Sequence, residues 1–228
     1  MFHREADMTA PVAKWMSATG LLAKAEFITP WGICDLVGLR FSPGKVAHRV
    51  QLGQTRALSS ITRAALLLRI PDAETRQSTT LKKLVRQCAA AVPQEVVSQE
   101  IARLITDRFV ISSSRGRLQK VNGWMPLQDR LVAIELKLSR IEEVMHQALN
   151  NLGFAEESYV GLPAETARRV ASNASRWSCF FDAGIGLLSV TRRGCKVLVP
   201  ARKAQGRADT AIQLYCVEKF WRIRPKGN

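Results

Sequence analysis

The chain has 228 residues, of which 46% are hydrophobic and 23% are charged. This supply of apolar side chains is sufficient for a packed core, so the composition excludes a wholly disordered protein. The 34 Lys and Arg residues outnumber the 19 Asp and Glu residues and give a formal net charge of +15. Such a charge favours binding to a polyanion, most commonly a nucleic acid and next an anionic membrane surface.

The first predicted elements are a helix and a β-hairpin. Apolar residues recur at helical spacing over residues 11–23, which predicts a helix there. Two short aliphatic runs, 25–29 and 33–39, then flank the turn-forming sequence Pro30-Trp31-Gly32. The sequence therefore predicts two antiparallel strands joined by a tight turn.

The segment 58–121 has the pattern of a small helical module. Helices are predicted over residues 59–70, 79–90 and 93–108. A hairpin follows, with strands 109–111 and 118–121 on either side of a turn rich in Ser, Gly and Arg. Three helices followed by a basic-tipped hairpin resemble the order of a winged helix-turn-helix module.

This module carries candidate contacts to nucleic acid. A DNA-binding module of this kind would place the helix near 94–108 in the major groove and its hairpin turn against phosphate. The hairpin cations are Arg115, Arg117 and Lys120. Because the helix also contains Glu95 and Glu100, contact with a partner protein or a second copy of the chain is the alternative, and the hairpin is alternatively an ordinary solvated turn.

Strands and helices alternate in the next part of the chain. We predict strands over 130–138, 158–162, 185–190 and 196–199, and helices over 139–152 and 164–175. This alternation predicts an α/β fold with helices against a central sheet. Residues 201–228 form a basic segment whose backbone the pattern does not define.

Several features of the sequence favour a cytoplasmic protein without a membrane partner. The longest apolar run, 64–68, ends at Arg69 and is far shorter than the roughly 18 residues of a membrane-spanning helix. The first eight residues contain Arg4, Glu5 and Asp7 instead of the apolar block of a signal peptide. The five cysteines are scattered and contain no C-x-x-C, so neither a disulfide framework nor a zinc site is predicted.

An acidic and a basic residue interrupt an otherwise apolar strand. Side chains alternate along a strand, so Glu135 and Lys137 project from one face while Ile134 and Leu136 project from the other. Burying either charge costs several kcal/mol unless it has a partner, so a central strand holds both only for a reason. A metal site is one such reason, and a surface pair on an edge strand is the alternative.

A second carboxylate in an apolar strand is the natural partner for such a site. Mg²⁺ is commonly held by one or two carboxylates together with water and substrate phosphate. Asp35 lies inside the apolar run 33–39, where its other role would be to cap a turn. If the hairpin turn is centred on Pro30 and Trp31, Glu26 lies opposite Asp35 at about 5 Å and joins the site.

These residues resemble the pattern of the PD-(D/E)XK phosphodiesterases, the restriction-endonuclease-like superfamily. Asp35 matches the first acidic position, Glu135 and Lys137 match the acid-x-Lys strand, and the following helix, strand, helix and strand occur in order. Cys34 stands where the pattern has a proline. The resemblance implies an α/β fold with a restriction-endonuclease-like mixed central sheet flanked by helices.

About a hundred residues separate the two acidic strands, and an inserted module accounts for them. Closing a long loop costs little more than closing a short one, because the entropy cost grows only logarithmically with length. We therefore assign the first part of the core to 1–54, a winged-helix-like insertion to 55–122, the second part of the core to 123–200, and a basic C-terminal segment to 201–228.

The resemblance implies a metal-dependent nuclease that hydrolyses DNA. Mg²⁺, with Mn²⁺ as a substitute, would be held by Asp35, Glu135, Glu26 and the carbonyl of Leu136, while Lys137 stabilises charge on the phosphate. Gln147 and Arg140 would contact nucleic acid beside the site, although Gln147 is alternatively a solvated helix residue. A DNA-binding regulator with an inactive nuclease-like fold and an RNA-processing nuclease are the alternatives. No phosphate-binding glycine motif occurs, so no nucleotide cofactor is expected.

Overall fold

The computed structural model describes residues 2–121, 125–204 and 206–221. The helices of eight or more residues are α1 (Thr9–Ala18), α2 (Pro43–Gln51), α3 (Ile61–Arg69), α4 (Leu81–Cys88), α5 (Gln94–Thr106), α6 (Ile141–Asn151), α7 (Ala164–Ser172) and, after the short α8 (Ser178–Asp182), α9 (Thr210–Glu218). The strands are β1 (Leu22–Thr29), β2 (Gly32–Phe41), β3 (Thr79–Thr80), β4 (Val110–Ser112), β5 (Arg117–Lys120), β6 (Gln128–Leu136), β7 (Glu157–Pro163), β8 (Gly186–Thr191) and β9 (Gly194–Val199).

The chain forms two compact units, and the second interrupts the first. Unit 1 comprises Met1–Arg40 and Gln128–Gln213, and unit 2 comprises Phe41–Leu127 and Leu214–Asn228. The sequence-based boundaries were 54/55 and 122/123, with 201–228 set apart as a separate segment. In the structure α2 and the described end of the chain belong to unit 2, because Arg49 of α2 forms a buried ion pair with Glu218.

Unit 1 contains a mixed sheet of six strands in the order β1-β2-β6-β7-β8-β9. The pairs β1–β2 and β8–β9 are antiparallel, and β6, β7 and β8 are parallel to one another. The parallel strands are joined through α6 and α7, since parallel neighbours require a crossover connection. The predicted α/β fold with a mixed sheet flanked by helices is confirmed.

Both faces of this sheet are covered, which explains the nearly continuous apolar runs of β6 and β7. On one face Val12 and Met16 of α1 pack against Val132 and Ile134 of β6. On the other face residues of α6 and α7 pack against β7 and β8; they include Val144, Met145, Ala148, Val170, Val160, Leu162 and Leu187. Glu135 in β6 and Glu157 in β7 are therefore buried, whereas Asp129 at the start of β6 is exposed.

The β1–β2 hairpin has the predicted turn but a longer first strand. Phe27 lies opposite Cys34 and Ala25 opposite Leu36, as a turn centred on Pro30 and Trp31 requires. The helix predicted to reach residue 23 ends at Ala18 instead, because Gly20 adopts a positive φ of 77° that ends the helix and leads into β1.

Unit 2 contains a helical cluster and a three-stranded sheet in the order β3-β5-β4. Side chains from α3, α4, α5 and the hairpin share one core that includes Leu66, Leu84, Ile101, Leu104 and Leu118. The hydroxyls of Ser60 and Thr80 cap α3 and α4 by accepting from the backbone N–H groups of Arg63 and Lys83. Among the residues that the structure describes, no helix is long and apolar enough to cross a membrane.

Candidate active site

The structure brings the carboxyl groups of Asp35 and Glu135 together. Asp35 lies in β2 and Glu135 in β6, and these strands are neighbours in the sheet of unit 1. The Oδ2 atom of Asp35 accepts a hydrogen bond from the backbone N–H of Leu136 at 2.7 Å. The backbone of Asp35 in turn hydrogen-bonds to the Glu135 carboxylate. Asp35 therefore joins β2 to β6 and does not cap a turn.

Glu135 is held in place by polar groups although only 5% of the residue is exposed. The Nδ2 atom of Asn151, at the end of α6, donates to its Oε1 at 2.7 Å, and the buried thiol of Cys34 also interacts with it. Burial raises the pKa of Glu135 above its usual value; the Asn151 amide opposes the rise, and the nearby charge of Asp35 adds to it. The carboxylate is thus oriented, while its charge is only partly compensated.

The pKa of Asp35 is raised as well. Burial is the main cause, and the negative charge of Glu5 adds to it. The backbone N–H of Leu136 and the ammonium of Lys137 oppose the rise but do not cancel it. Two adjacent carboxyl groups that both resist ionisation form a site whose negative charge is incompletely neutralised by the protein.

Lys137 completes this arrangement with an ammonium group that is 14% exposed. Its Nζ lies 3.2 Å from Oε2 of Glu5 and 3.5 Å from Oε1 of Glu143. Burial lowers the pKa of Lys137, but the two ion pairs outweigh burial, so the net shift is upward. Since Glu135 and Lys137 are both largely buried, the alternative of an ordinary surface pair is wrong.

Glu5 is the residue of this cluster that the sequence did not indicate. It lies just before α1 in a short 3₁₀ turn, accepts from Lys137, and accepts from the backbone N–H of Leu138 at 3.4 Å. More than 130 residues separate Glu5 from these partners, so no local pattern joins them.

The structure does not place Glu26 as predicted. The neighbouring pairs keep the expected register, yet Glu26 has a left-handed backbone with a φ of 49°, and the ladder has no pair between Glu26 and Asp35. The prediction assumed a regular extended strand, in which side chains on opposite residues share a face. The left-handed backbone at Glu26 interrupts the extended strand, and the side chain of Glu26 is exposed to solvent.

One face of α6 borders the site. Glu143, Gln147 and Asn151 are spaced four residues apart and so lie along one stripe of the helix. Glu143 contacts Lys137, and Asn151 contacts Glu135. Gln147 lies between them, and its Oε1 atom is buried without a hydrogen-bond partner in the described part of the chain.

Arg140 lies at the rim of the site, at the start of α6. Its guanidinium is exposed and pairs with Oε2 of Glu143 at 2.9 Å. An open cleft of about 470 Å³ begins here; it is lined by Arg140, Ile141, Glu142, Glu143, Arg176 and Trp177. The cleft reaches the site through Glu143, which also pairs with Lys137.

The hairpin of unit 2 exposes only some of its predicted contact residues. Arg115 and Arg117 are exposed at or beside the turn. Lys120 is buried and its Nζ lies 3.5 Å from Oδ1 of Asp72, because alternate residues of β5 point into the core of unit 2. Lys120 therefore does not belong to the exposed cationic surface.

Searches for known relatives add no assignment: no protein-family model, no curated protein and no solved structure matches this chain. Within the described ranges, the structure contains no group of three or more His, Cys, Asp or Glu side chains arranged to hold a metal ion. The candidate site is therefore a pair of carboxylates with an adjacent lysine.

The raised pKa values predict a pH-dependent effect of Asp35→Asn on stability. Because folding raises both pKa values, ionisation of the pair opposes folding; this cost is absent below the unfolded pKa of about 4 and grows as the pH rises through the folded pKa. At pH 7.5 in EDTA we expect the variant to unfold a few degrees above wild type, since about 1 kcal/mol corresponds to roughly 2–4 °C in a domain of this size.

The advantage of Asp35→Asn should shrink as the pH falls, because the raised pKa lets the wild-type carboxyl group take up a proton and resemble the amide. Calorimetric melting curves recorded between pH 4 and 8 test this. An advantage that is equal at all pH values would show that charge is not its cause.

Proposed function

We propose that this protein is a metal-dependent nuclease that hydrolyses DNA phosphodiester bonds. The observation that carries the proposal is the convergence of Asp35 and Glu135 from two neighbouring strands of a largely apolar sheet, with Lys137 directly after the second strand. A sheet with a purely structural role would not be expected to contain these carboxylates, because burying a charged group costs free energy. A metal-assisted reaction on a phosphate uses all three groups. A cytoplasmic location is part of the same proposal.

The order of the elements in unit 1 supports a restriction-endonuclease-like core. A helix, a hairpin, an acid-x-Lys strand, a helix and a further parallel strand follow one another as α1, β1, β2, β6, α6 and β7. The strand with Asp35 is adjacent to the strand with Glu135. Unit 2 enters between them, and its α3, β3, α4, α5, β4 and β5 follow the order of a winged-helix module.

The side chains present fit a hard divalent cation such as Mg²⁺, with Mn²⁺ as a substitute. Carboxylate and carbonyl oxygens are the ligands that Mg²⁺ prefers, and two carboxylates are a common protein contribution. Asp35, Glu135 and the carbonyl of Leu136 would hold the ion. The soft donor nearby, Cys34, has a pKa raised well above its usual value by burial, so its thiol stays protonated and does not compete.

The neighbouring side chains have separate roles in this proposal. When bound, the ion would supply a Lewis acid for the scissile phosphate and a means of activating water at neutral pH. Asn151 keeps the Glu135 carboxylate oriented. Glu5 and Glu143 keep Lys137 charged and positioned, and its ammonium stabilises negative charge that develops on the phosphate. Gln147 offers a buried acceptor to water or substrate, and Arg140 offers a cation at the rim.

The proposal is tested by metal-dependent cleavage together with metal binding. We expect the wild-type protein to cut plasmid, linear or branched DNA in Mg²⁺ or Mn²⁺ and to be inactive in EDTA. Asp35→Asn should lose cleavage and also the Mg²⁺-dependent rise in melting temperature, which wild type should show. Glu165→Gln, an exposed change on α7 that removes the same charge, is the matched control.

Each other outcome has a definite meaning. Cleavage of RNA but not of DNA would identify an RNA-processing nuclease. DNA binding without cleavage of any substrate, by a folded protein that Mg²⁺ does not stabilise, would contradict the nuclease proposal and leave a DNA-binding regulator.

A further inference from the structure

Most of the net positive charge lies in unit 2, whereas the candidate catalytic carboxylates belong to unit 1. Counted over its two segments, unit 2 has 18 Lys and Arg residues against 6 Asp and Glu residues, a net charge of +12. Unit 1 has 16 against 13, a net charge of +3. The attraction of the protein for a polyanion is therefore concentrated in unit 2.

Unit 2 has three long stretches without an acidic residue, 41–71, 75–94 and 108–127, and the fold joins the last two. Residues 75–94 include β3 and α4, and residues 108–127 include the β4–β5 hairpin. Thr80, the residue that caps α4, pairs directly with Arg117 of β5. The side chain of Gln119 in β5 donates to the backbone carbonyls of Thr75 and Gln77. The start of α4 and the hairpin thus share one surface.

Exposed cations project from this surface, and we call five of them, those on α4 and at the hairpin, the basic face: Lys82, Lys83, Arg86, Arg115 and Arg117. All five are exposed, and within the described residues none forms an ion pair with a carboxylate. A cation without an intramolecular partner keeps its charge available to a ligand.

The exposed side of α5 is different, although α5 is the helix expected to read DNA. Arg103 pairs with Glu100 at 3.2 Å, and Glu95 is exposed in the first turn. Val96 and Ile105 add exposed apolar groups. This mixture gives α5 little net attraction for phosphate.

We propose that the basic face binds the phosphate backbone of duplex nucleic acid, with α4 rather than α5 as the contacting helix. The inference deepens the proposed nuclease function, because it names the surface that holds the substrate. Lysine and arginine contacts to phosphate fix position without reading bases, so the binding is independent of sequence.

The chemistry of the basic face favours a duplex over other polyanions. Insertion of an amphipathic helix at a membrane surface needs a free apolar face, but Leu84 and Cys88 of α4 are buried in the core of unit 2. Single-stranded nucleic acid is typically held by bases stacked on aromatic rings. Among the described residues of the acid-free stretches 75–94 and 108–127 the one aromatic side chain, Phe109, is buried and so is not available for stacking.

The inference is tested by duplex binding in EDTA, where cleavage plays no part. A fluorescent 30-base-pair duplex of arbitrary sequence is titrated with the full-length protein from 50 to 250 mM salt, and binding is measured by anisotropy. The variants of the basic face are the triple Lys82→Gln/Lys83→Gln/Arg86→Gln and the double Arg115→Gln/Arg117→Gln. The charge-matched control in unit 1 is Lys14→Gln/Arg168→Gln/Arg169→Gln, three exposed positions.

We expect the triple variant of α4 to lose at least tenfold in affinity at 100 mM salt. Its slope of log K against log salt should fall by about 2.7, because each phosphate contact contributes about 0.9. The unit 1 control should change both quantities far less. Equal losses in the two triple variants would overturn the inference, since net charge alone would then explain them.

A pair of single substitutions separates α4 from α5. Gln87→Glu on α4 and Ala102→Glu on α5 each add one negative charge at an exposed helical position of unit 2. We expect Gln87→Glu to weaken duplex binding several-fold and Ala102→Glu to leave it nearly unchanged. The reverse order would assign the contact to α5 and overturn the inference.

Phosphatidylserine vesicles and a single-stranded oligonucleotide complete the test. Tighter binding to either than to the duplex would also overturn the inference. Intact duplex binding without cleavage would contradict only the nuclease proposal, so the two failures are distinguishable. Circular dichroism melting curves confirm that each variant is folded.

Discussion

Lys137→Met will remove nearly all DNA cleavage while leaving metal binding in place. The ammonium of Lys137 acts electrostatically on Asp35, and its ion pairs with Glu5 and Glu143 hold it in place. Loss of a single group that stabilises transition-state charge typically costs 10²–10³-fold in kcat. We therefore expect a fall of that size with an unchanged Mg²⁺-dependent rise in melting temperature.

Glu135→Gln is the informative companion to Lys137→Met. The amide keeps an oxygen that can accept from Asn151, but it removes the negative charge that a divalent cation needs. We expect this variant to lose both cleavage, by at least 10³-fold, and stabilisation by Mg²⁺. Lys14→Met, an exposed change on α1, serves as the control and should retain full activity. If Lys137→Met cuts at the wild-type rate, Lys137 is not a catalytic residue.

The sequence indicated the two carboxylates and the lysine because their surroundings are unusual. Charges inside apolar strands are visible in a sequence, and the side-chain alternation of a strand predicts which residues share a face. Both Glu135 and Lys137 do contact α6, through Asn151 and Glu143. The prediction that β2 and β6 are neighbouring strands came from the resemblance, because spacing alone cannot join strands a hundred residues apart.

The residues that sequence reasoning missed depend on tertiary contacts or on single backbone angles. Glu5 reaches Lys137 only because the 3₁₀ turn before α1 lies beside the end of β6. Glu26 has the expected register but an unexpected sign of φ. A sequence pattern predicts neither a contact across 132 residues nor a single reversed dihedral angle.

The helices α2 and α9 escaped prediction for different reasons. Helix α2 is short and has Gly44 in its first turn, which weakens a helical pattern. Helix α9 is apolar around most of its circumference, so it lacks the alternation between an apolar and a polar face that marks an amphipathic helix. Both helices contribute to the same buried ion pair, which is why the predicted domain boundaries differed from the observed ones.

That ion pair gives the largest expected effect on stability. Arg49 is 3% exposed and the side chain of Glu218 is 1% exposed. The guanidinium donates to both carboxylate oxygens of Glu218 and to the carbonyls of Gln54 and Arg56, and it stacks 3.9 Å from the ring centre of Trp221. The carboxylate also accepts from the backbone N–H of Leu58 at 2.8 Å.

Glu218→Ala should therefore destabilise unit 2 by about 3–5 kcal/mol, because it leaves the Arg49 charge buried without a partner. Urea unfolding monitored by tryptophan fluorescence measures this loss. Glu142→Ala removes one partner of the exposed pair between Arg176 and Glu142, and it should cost at most about 1 kcal/mol. An equally small cost for Glu218→Ala would show that solvent reaches Arg49 in solution.

The double substitution Arg49→Met/Glu218→Leu separates the cost of an unpaired charge from the loss of the contact itself. Replacing both partners of a buried pair with apolar residues is often neutral or stabilising, whereas removing one leaves an uncompensated charge. We expect the double variant to regain most of the stability lost in Glu218→Ala. Because Glu218 is held by residues 49 and 58, a chain that ends before Leu214 should lose the fold of unit 2 and with it the basic face.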